Sequence, residues 1–260
     1  SSLHPRPPMR IDEITVVVPT KNEEDNIIPF LDSLDPEVEL IVVDASTDQT
    51  RELIASHRPA RTRVIEKEST IPEARNIGLE AAQTEWVLFT DADMSFETTY
   101  WETWKEETLG SRVGAVQGGK LSADRDYRLY YRLFTLGIRI LSWLTIPGGS
   151  GSNMIFRRNA FLEAGGFDEA LVANEDIYAL WTMRKAGWRV PFVSGLNVLE
   201  RDHRRLDQGR FRKTIHGWIR PLMLFSGVGA AQVRKSDWGY WDESSHEQES
   251  EQSTEGYRFA

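Results

Sequence analysis

The chain predicts an α/β fold with a mainly parallel central sheet flanked by helices. Two observations carry this. Apolar, β-branched runs alternate with helical patterns through the first third of the chain, and alternation of that kind implies right-handed crossovers between parallel strands. Polar residues also gather just after each of three strand-like runs, and open α/β sheets bind ligands beyond the carboxyl ends of their strands.

In order, Ile14 to Val18 is a short β-branched run ended by Pro19, followed by a polar turn and the helical spacing of Ile27, Ile28, Leu31 and Leu34. Leu40 to Val43 is the second run, and Ser46-Thr47-Asp48 offers a cap for the helix carrying Leu53 and Ile54. Arg63 to Ile65 is a weaker third strand. Pro72 opens a helix through Ala74, Ile77, Gly78 and Ala81, and Trp86 to Thr90 is the fourth strand. Further on, Met154 to Phe156 reads as a short strand, and Asn174-Glu175-Asp176 opens a helix containing Ile177, Leu180, Trp181 and Met183.

The strand ends carry the chemistry: Thr20, Lys21, Asn22 and Glu23 after the first, Asp44 after the second, Asp91 and Asp93 after the fourth. If these strands are parallel neighbours, all of them face one crevice, with a nucleotide as its natural occupant. Asp91-Ala92-Asp93 puts two carboxylates one residue apart where a buried strand emerges. Hard cations such as Mg²⁺ or Mn²⁺ take one or two carboxylates together with substrate phosphates. The plainer alternative is a pair of loop aspartates capping the next helix. The turn PTKNEED lacks the glycines of a dinucleotide fold, and no Walker sequence occurs, so NAD and P-loop readings are disfavoured.

Composition sets the outer bounds. At 260 residues, 40% apolar and 27% charged, the chain is ordinary for a soluble globular protein, and a net charge of −9 argues against general nucleic-acid binding. Cysteine is absent, which excludes disulfides and thiolate metal sites and fits a cytoplasmic protein. We expect a flexible lead over 1–10, one domain over 11–234 and an acidic flexible tail over 235–260, rich in Glu, Ser and Gln. The expected domain has a first half, 11–118, with the strand-end crevice, and a second half, 119–234, with the apolar helices.

The ordered motifs VVVPTKNEE, LIVVDASTDQT, ARNIGLEAA, VLFTDAD, GGSGSNMIFRRNAFLEAGGFDE and NEDIYALWTMRKAGW resemble those of family-2 glycosyltransferases of the GT-A fold, from about Ile14 to Val193. The resemblance implies a Rossmann-like sandwich and transfer of a sugar from a nucleotide diphosphate. By position, it implies that Pro19, Thr20 and Glu23 border the nucleoside and that Asp44 accepts a hydrogen bond from base or ribose. Arg75 would help hold the nucleotide, the alternative being a helix-surface salt bridge. Asp91, with Ala92 beside it, would lie near ribose and sugar, and Asp93, assisted by Asp91, would ligate Mg²⁺ or Mn²⁺. Asp176 would be the catalytic base of an inverting displacement, with Glu175 as its understudy; helix capping alone would also explain the acidic pair. Two departures matter. Lys21 stands where the family often has an aromatic residue, and Val43-Asp44-Ala45-Ser46 stands where it often has two adjacent aspartates, so uracil and guanine both stay open.

In the second half, PGGSGSN contributes Gly149 and Ser150 either as a flexible linker or, by the resemblance, as part of the acceptor side. His203 is a surface residue or a third metal ligand. Arg204 and Arg205 either clamp a phosphate or form a solvated basic face. The run Leu129 to Ile146, with Arg132, Thr135, Arg139 and Ser142 as a narrow polar stripe, suits a helix at a lipid headgroup boundary, as does 218–225; a core helix or a dimer interface is the alternative. No span of about 20 uninterrupted apolar residues occurs, so peripheral contact with the inner face of the cell membrane is expected rather than a spanning helix. The preferred acceptor is a polyprenyl phosphate or lipid-linked saccharide. A sugar-phosphate nucleotidyltransferase and an inactive nucleotide-sugar-binding adaptor are the rivals.

Overall fold

The structure, a computed structural model, describes residues 7–124, 127–143, 148, 151–171 and 175–201. The expected tail over 235–260, the apolar segment 218–225, residues 144–146, and the candidate site residues Gly149, Ser150, His203, Arg204 and Arg205 lie outside the described residues. Of the lead read over 1–10, residues 7–10 are described. Met9 is buried in the core, and its N–H donates to the Glu107 carbonyl at 3.0 Å.

Eight strands form one sheet: β1 (Ile14–Thr20), β2 (Glu39–Asp44), β3 (Thr62–Glu66), β4 (Trp86–Phe89), β5 (Met94–Phe96), β6 (Ala115–Ser122), β7 (Met154–Arg157) and β8 (Phe192–Glu200). Seven α-helices among the described residues flank it: α1 (Ile27–Asp32), α2 (Thr50–His57), α3 (Ile71–Ala81), α4 (Tyr100–Glu106), α5 (Arg128–Trp143), α6 (Arg158–Glu163) and α7 (Glu175–Lys185). The strand order is β3-β2-β1-β4-β7-β6-β8-β5.

The first four strands are parallel, as the alternation predicts. The second half corrects the expectation of a mainly parallel sheet. β7 runs antiparallel to both β4 and β6, β5 is antiparallel to β8, and β6 with β8 is parallel, so the sheet is mixed. The physical reason lies in the connections. Strand–helix alternation from β1 to β4 gives parallel neighbours, whereas β7 inserts between β4 and β6, a placement and direction that periodicity along the chain does not specify.

Side chains alternate across the sheet with period two. Val16, Val18, Leu40 and Val42 pack on one face with Ile27, Phe30, Leu31, Trp101 and Trp104 of α1 and α4; Val17, Ile41 and Val43 pack on the other with Ala74, Leu79, Leu180 and Met183 of α3 and α7. Two well-filled faces explain why the early strands are apolar throughout. Close packing also dictates Gly78. A Cβ there would sit 2.2 Å from Val17 Cγ1, so only glycine lets α3 lie this near β1.

β1 extends two residues past its predicted end, through Pro19 and Thr20. Proline has no N–H for a ladder, yet Pro19 is tolerated because pairing with β4 has already stopped at Val17, leaving β2 as its only neighbour. β4 in turn ends at Phe89, which releases Thr90 to Asp93 from the sheet into the turn before β5.

Candidate active site

The carboxyl ends of β1, β2 and β4 open into a cavity of about 410 Å³. One wall is made by Pro19, Thr20, Lys21 and Glu23 after β1, Val43 and Ala45 beside Asp44, and Ser69 to Ile71 with Ala74 at the start of α3. The floor carries Asp91, Ala92 and Asp93. Gly151, Ser152, Glu175 and Asp176 also line the cavity, as do Lys120 of β6 and Glu200 of β8, the latter paired with Met94 next to Asp93. Residues distant in sequence therefore converge as the parallel strands require.

The turn after β1 does without glycine because Asn22 takes the left-handed conformation, at φ 56°, that asparagine tolerates. The Asn22 side chain accepts from the Thr47 N–H at 2.8 Å, and its own N–H donates to Ser46 Oγ at 2.9 Å, so the two loops brace each other. α3 begins with a reciprocal cap. Thr70 Oγ1 accepts from the Glu73 N–H, and Glu73 returns a bond to the Thr70 N–H, which fixes the helix start at the cavity wall.

Asp44 occupies a different place from the one its motif suggests. Its carboxylate is fully buried and accepts from Thr20 Oγ1 and Ser46 Oγ, both at 2.6 Å, from the Ser46 N–H at 3.1 Å and from Arg51 Nη1 at 3.3 Å. It holds the wall together from behind, while Val43 and Ala45 face the cavity.

Arg75 is the hub of the acidic side. Only 3% exposed, its guanidinium donates to Glu175 Oε1 at 2.8 Å, to Asp91 Oδ1 at 3.1 Å and to the Gly151 carbonyl at 3.4 Å, and it lies 5.6 Å from the Phe167 ring centroid. The surface salt-bridge alternative is thereby excluded. Burial on its own would lower the guanidinium pKa, but Asp91, Glu175 and Asp176 outweigh it and hold it above its ordinary value. Burying a charge costs several kcal/mol of desolvation and so requires such partners. Ser152 Oγ donates to Asp91 Oδ2 at 2.7 Å, so both Asp91 oxygens are engaged by side chains of the wall.

Glu175 and Asp176 are the first two residues of α7, where a helix dipole favours charge. Burial nevertheless wins. It pushes Glu175 up to about 7, with Asp176 and Asp91 adding to it and Arg75 opposing it; Asp176 is raised chiefly by its own burial, again against Arg75. Asp176 Oδ1 accepts from the Ile177 N–H at 2.7 Å. Gly151 is required beside it: a Cβ would lie 2.8 Å from Asp176 Oδ2 and 3.1 Å from Arg75 Nη2. We expect Gly151→Ala to displace the carboxylate, at a stability cost of roughly 1–3 kcal/mol, and to lower transfer about a hundredfold. Steady-state rates compared with melting temperature would check this, since a purely structural effect leaves kcat of the folded fraction intact.

The sequence did not point to Lys120 or Glu200. Lys120 follows two glycines in β6, a run without alternation. Glu200 did leave a trace: on β8 the inward positions Leu196 and Val198 are followed by an acid at the next inward position. Among the described residues no group of three His, Asp or Glu side chains is arranged to hold a metal by itself. A hard cation at Asp93 and Asp91 would share its sphere with substrate phosphates, which this donor set fits.

Fold and cavity together define an α/β protein of the GT-A class, with one wall of the cavity at the ends of β1 and β2 and the acidic side beyond β4. The chain belongs to glycosyl transferase family 2, whose profile matches residues 15–165. It is 27% identical over 246 residues to a pre-mycofactocin glycosyltransferase of Mycobacterium tuberculosis, covering 87% of this chain and 49% of that protein. The chain thus spans about half the length of the curated relatives it matches first. In structure it resembles a mannosyltransferase from Pyrobaculum calidifontis solved with GDP-Man and Mn²⁺, with a TM-score of 0.64 and 22% identity over 84% of this chain and 66% of that one. It also resembles glucosyl-3-phosphoglycerate synthase of Mycobacterium tuberculosis, solved with Mn²⁺, UDP and glucosyl-3-phosphoglycerate. That match has a TM-score of 0.58 and 23% identity, covering 87% of each chain.

Proposed function

We propose that the protein is a metal-dependent, inverting glycosyltransferase that moves a sugar from a nucleotide diphosphate to a polyprenyl-phosphate or lipid-linked saccharide acceptor. The observation that carries this reading is the convergence of Asp91, Asp93, Glu175 and Asp176 on one cavity whose other wall is the β1–β2 nucleotide end. Pro19, Thr20 and Glu23 border the nucleoside. Asp44 supports that border through Thr20 rather than touching the base. Asp93, with Asp91, holds Mg²⁺ or Mn²⁺, which when bound neutralises the leaving diphosphate. Arg75 fixes Asp91 relative to Glu175, and so fixes the floor of the site relative to the base. With a saccharide acceptor Asp176 takes the proton of the attacking hydroxyl; with a phosphate acceptor, already ionised, it orients the attacking oxygen.

Product analysis tests the reaction class. A glycosyltransferase releases nucleoside diphosphate, whereas a nucleotidyltransferase releases pyrophosphate; detection of pyrophosphate would overturn the proposal. Loss of all transfer across a panel of nucleotide sugars with Mn²⁺ would favour the inactive adaptor.

Membrane contact is proposed through α5. Its outer face exposes Leu129, Leu133, Leu136, Ile140 and Trp143, the last 82% exposed, with Arg128, Arg132 and Arg139 also exposed on the helix. An apolar ridge edged by cations on a chain of net charge −9 matches an anionic headgroup boundary. None of the helices among the described residues is long and apolar enough to cross a membrane. We expect the protein to float with vesicles containing phosphatidylglycerol and Leu133→Glu/Trp143→Glu to remain in the soluble fraction, with unchanged nucleotide binding. Equal flotation of both would remove α5 from the interface.

A further inference from the structure

Lys120 and Glu200 line the cavity from β6 and β8, the two strands beyond β7, with Glu200 opposite Met94 and so beside Asp93. β7 separates β4 from β6, and β6 pairs in parallel with β8, with Lys120 opposite Val198 and Ser122 opposite Glu200. Lys120 Nζ donates to Glu200 Oε1 at 3.1 Å and lies 5.7 Å from the Tyr131 ring centroid. The Lys120 and Glu200 side chains are 13% and 8% exposed. The backbone of Lys120 is gripped by α5, where Thr135 Oγ1 accepts from its N–H at 3.2 Å and donates to its carbonyl at 2.7 Å.

This ion pair is incomplete on both sides. An ammonium carries three donors, of which one reaches Glu200, and Glu200 Oε2 is buried without a hydrogen-bond partner among the described residues. A half-satisfied buried pair is costly unless a ligand completes it. Among the described residues the cavity elsewhere offers an anion little: Glu23, Asp91, Asp93, Glu175 and Asp176 line it, Arg75 is committed to two carboxylates, and Lys21 is a surface residue paired with Glu68. Lys120 is where a second negative group, beyond the donor's diphosphate, can be received.

We infer that the Lys120–Glu200 end is the acceptor subsite, in which Lys120 contacts a phosphate group of the acceptor and Glu200 is the positioning residue that holds the ammonium toward it. This rests on the transferase reading above and adds the chemistry of the acceptor to it. Lysine serves here as a compact point charge for phosphate oxygens. The inner face of α5, through Tyr131 and Thr135, builds the subsite, while its outer face carries the apolar ridge. A phosphate presented from a lipid surface would therefore arrive at this end.

The test uses the whole chain, with geranyl phosphate, geraniol and inorganic phosphate as probes, and UDP and GDP with Mn²⁺ as the donor-side control. Binding is read by calorimetry and melting temperature. The double variant Lys120→Met/Glu200→Gln avoids stranding a buried charge, and Lys120→Arg retains the cation. The expected result is that wild type binds geranyl phosphate more tightly than geraniol, and that the double variant loses roughly ten- to a hundredfold in that affinity. Lys120→Arg should retain most of it, and the Mn²⁺-dependent nucleotide shift should survive in all. Inorganic phosphate binding as tightly as geranyl phosphate would support the subsite with a soluble phosphoester as its source; weaker binding would support a lipid source. Unchanged geranyl phosphate affinity in the double variant overturns the assignment, and so does a weakened nucleotide shift, which would place Lys120 on the donor. If neither nucleotide raises the melting temperature of wild type, the transferase reading falls and the subsite falls with it.

Discussion

Asp93→Ala is expected to abolish the rise in melting temperature that UDP or GDP produces with Mn²⁺, and to reduce transfer on the order of a thousandfold. The argument begins with charge. The cavity is lined by six carboxylates, those of Glu23, Asp91, Asp93, Glu175, Asp176 and Glu200, and such a site repels a diphosphate unless a cation intervenes. Asp91 has both oxygens on protein donors, Arg75 and Ser152, so its contribution to a cation is shared with those bonds. Asp93 sits one residue before β5, where its carbonyl accepts from the Arg201 N–H at 3.1 Å and the turn is pinned to the end of β8. That pin fixes the backbone under the carboxylate, so alanine removes the ligand without releasing the turn. Calorimetry of Mn²⁺ and nucleotide with wild type, Asp93→Ala and Asp93→Asn separates ligation from folding. Transfer surviving intact in Asp93→Ala would show that the metal assignment is wrong.

The site was partly legible beforehand, and for a physical reason. Parallel strands place their carboxyl ends together, so Thr20, Asp91 and Asp93 could be assigned to one crevice from the sequence alone, and Pro72 marked the start of α3 beside it. Arg75 could be located on that helix, but not its depth: burial at 3% depends on α7 and the Gly151 segment folding over it. The side chain of Asp44 was legible as an acid at a strand end and illegible in direction, because Thr20, Ser46 and Arg51 compete for it with any ligand. In the second half the reading thinned. The strands β5, β6 and β8 carry glycines, polar residues or only three positions, and their directions follow from irregular connections rather than from alternation. Lys120 and Glu200 belong to those strands, and the pair exists only because β6 and β8 are neighbours.

Asp176→Asn is expected to keep the Mn²⁺-dependent nucleotide shift and to lose roughly 10²–10⁴-fold in turnover with a hydroxyl acceptor. Asparagine preserves the size of the side chain and an oxygen to accept from Ile177, so the structure is retained while the base is lost. The pH dependence discriminates further. Burial raises both Asp176 and Glu175, the latter to about 7, so the pair holds a proton through mildly acidic conditions and transfer to a hydroxyl should fall as pH drops below neutrality. The stability linkage runs the other way. A glutamate whose folded pKa lies above its ordinary 4.5 stabilises the fold at low pH, and that contribution is lost as pH rises through about 7. Activity and stability should therefore move in opposite directions between about pH 5 and 8. Glu175→Gln keeps an acceptor for Arg75 while removing a negative neighbour, so it should shift the acidic limb of the rate profile to lower pH. A phosphate nucleophile is already ionised near neutrality; with it, the acidic limb should flatten and the penalty of Asp176→Asn should shrink to that of misorientation. Rate profiles of wild type and both variants with a hydroxyl and a phosphomonoester acceptor would decide this, and an Asp176→Asn enzyme with undiminished turnover on both would remove Asp176 from the chemistry altogether.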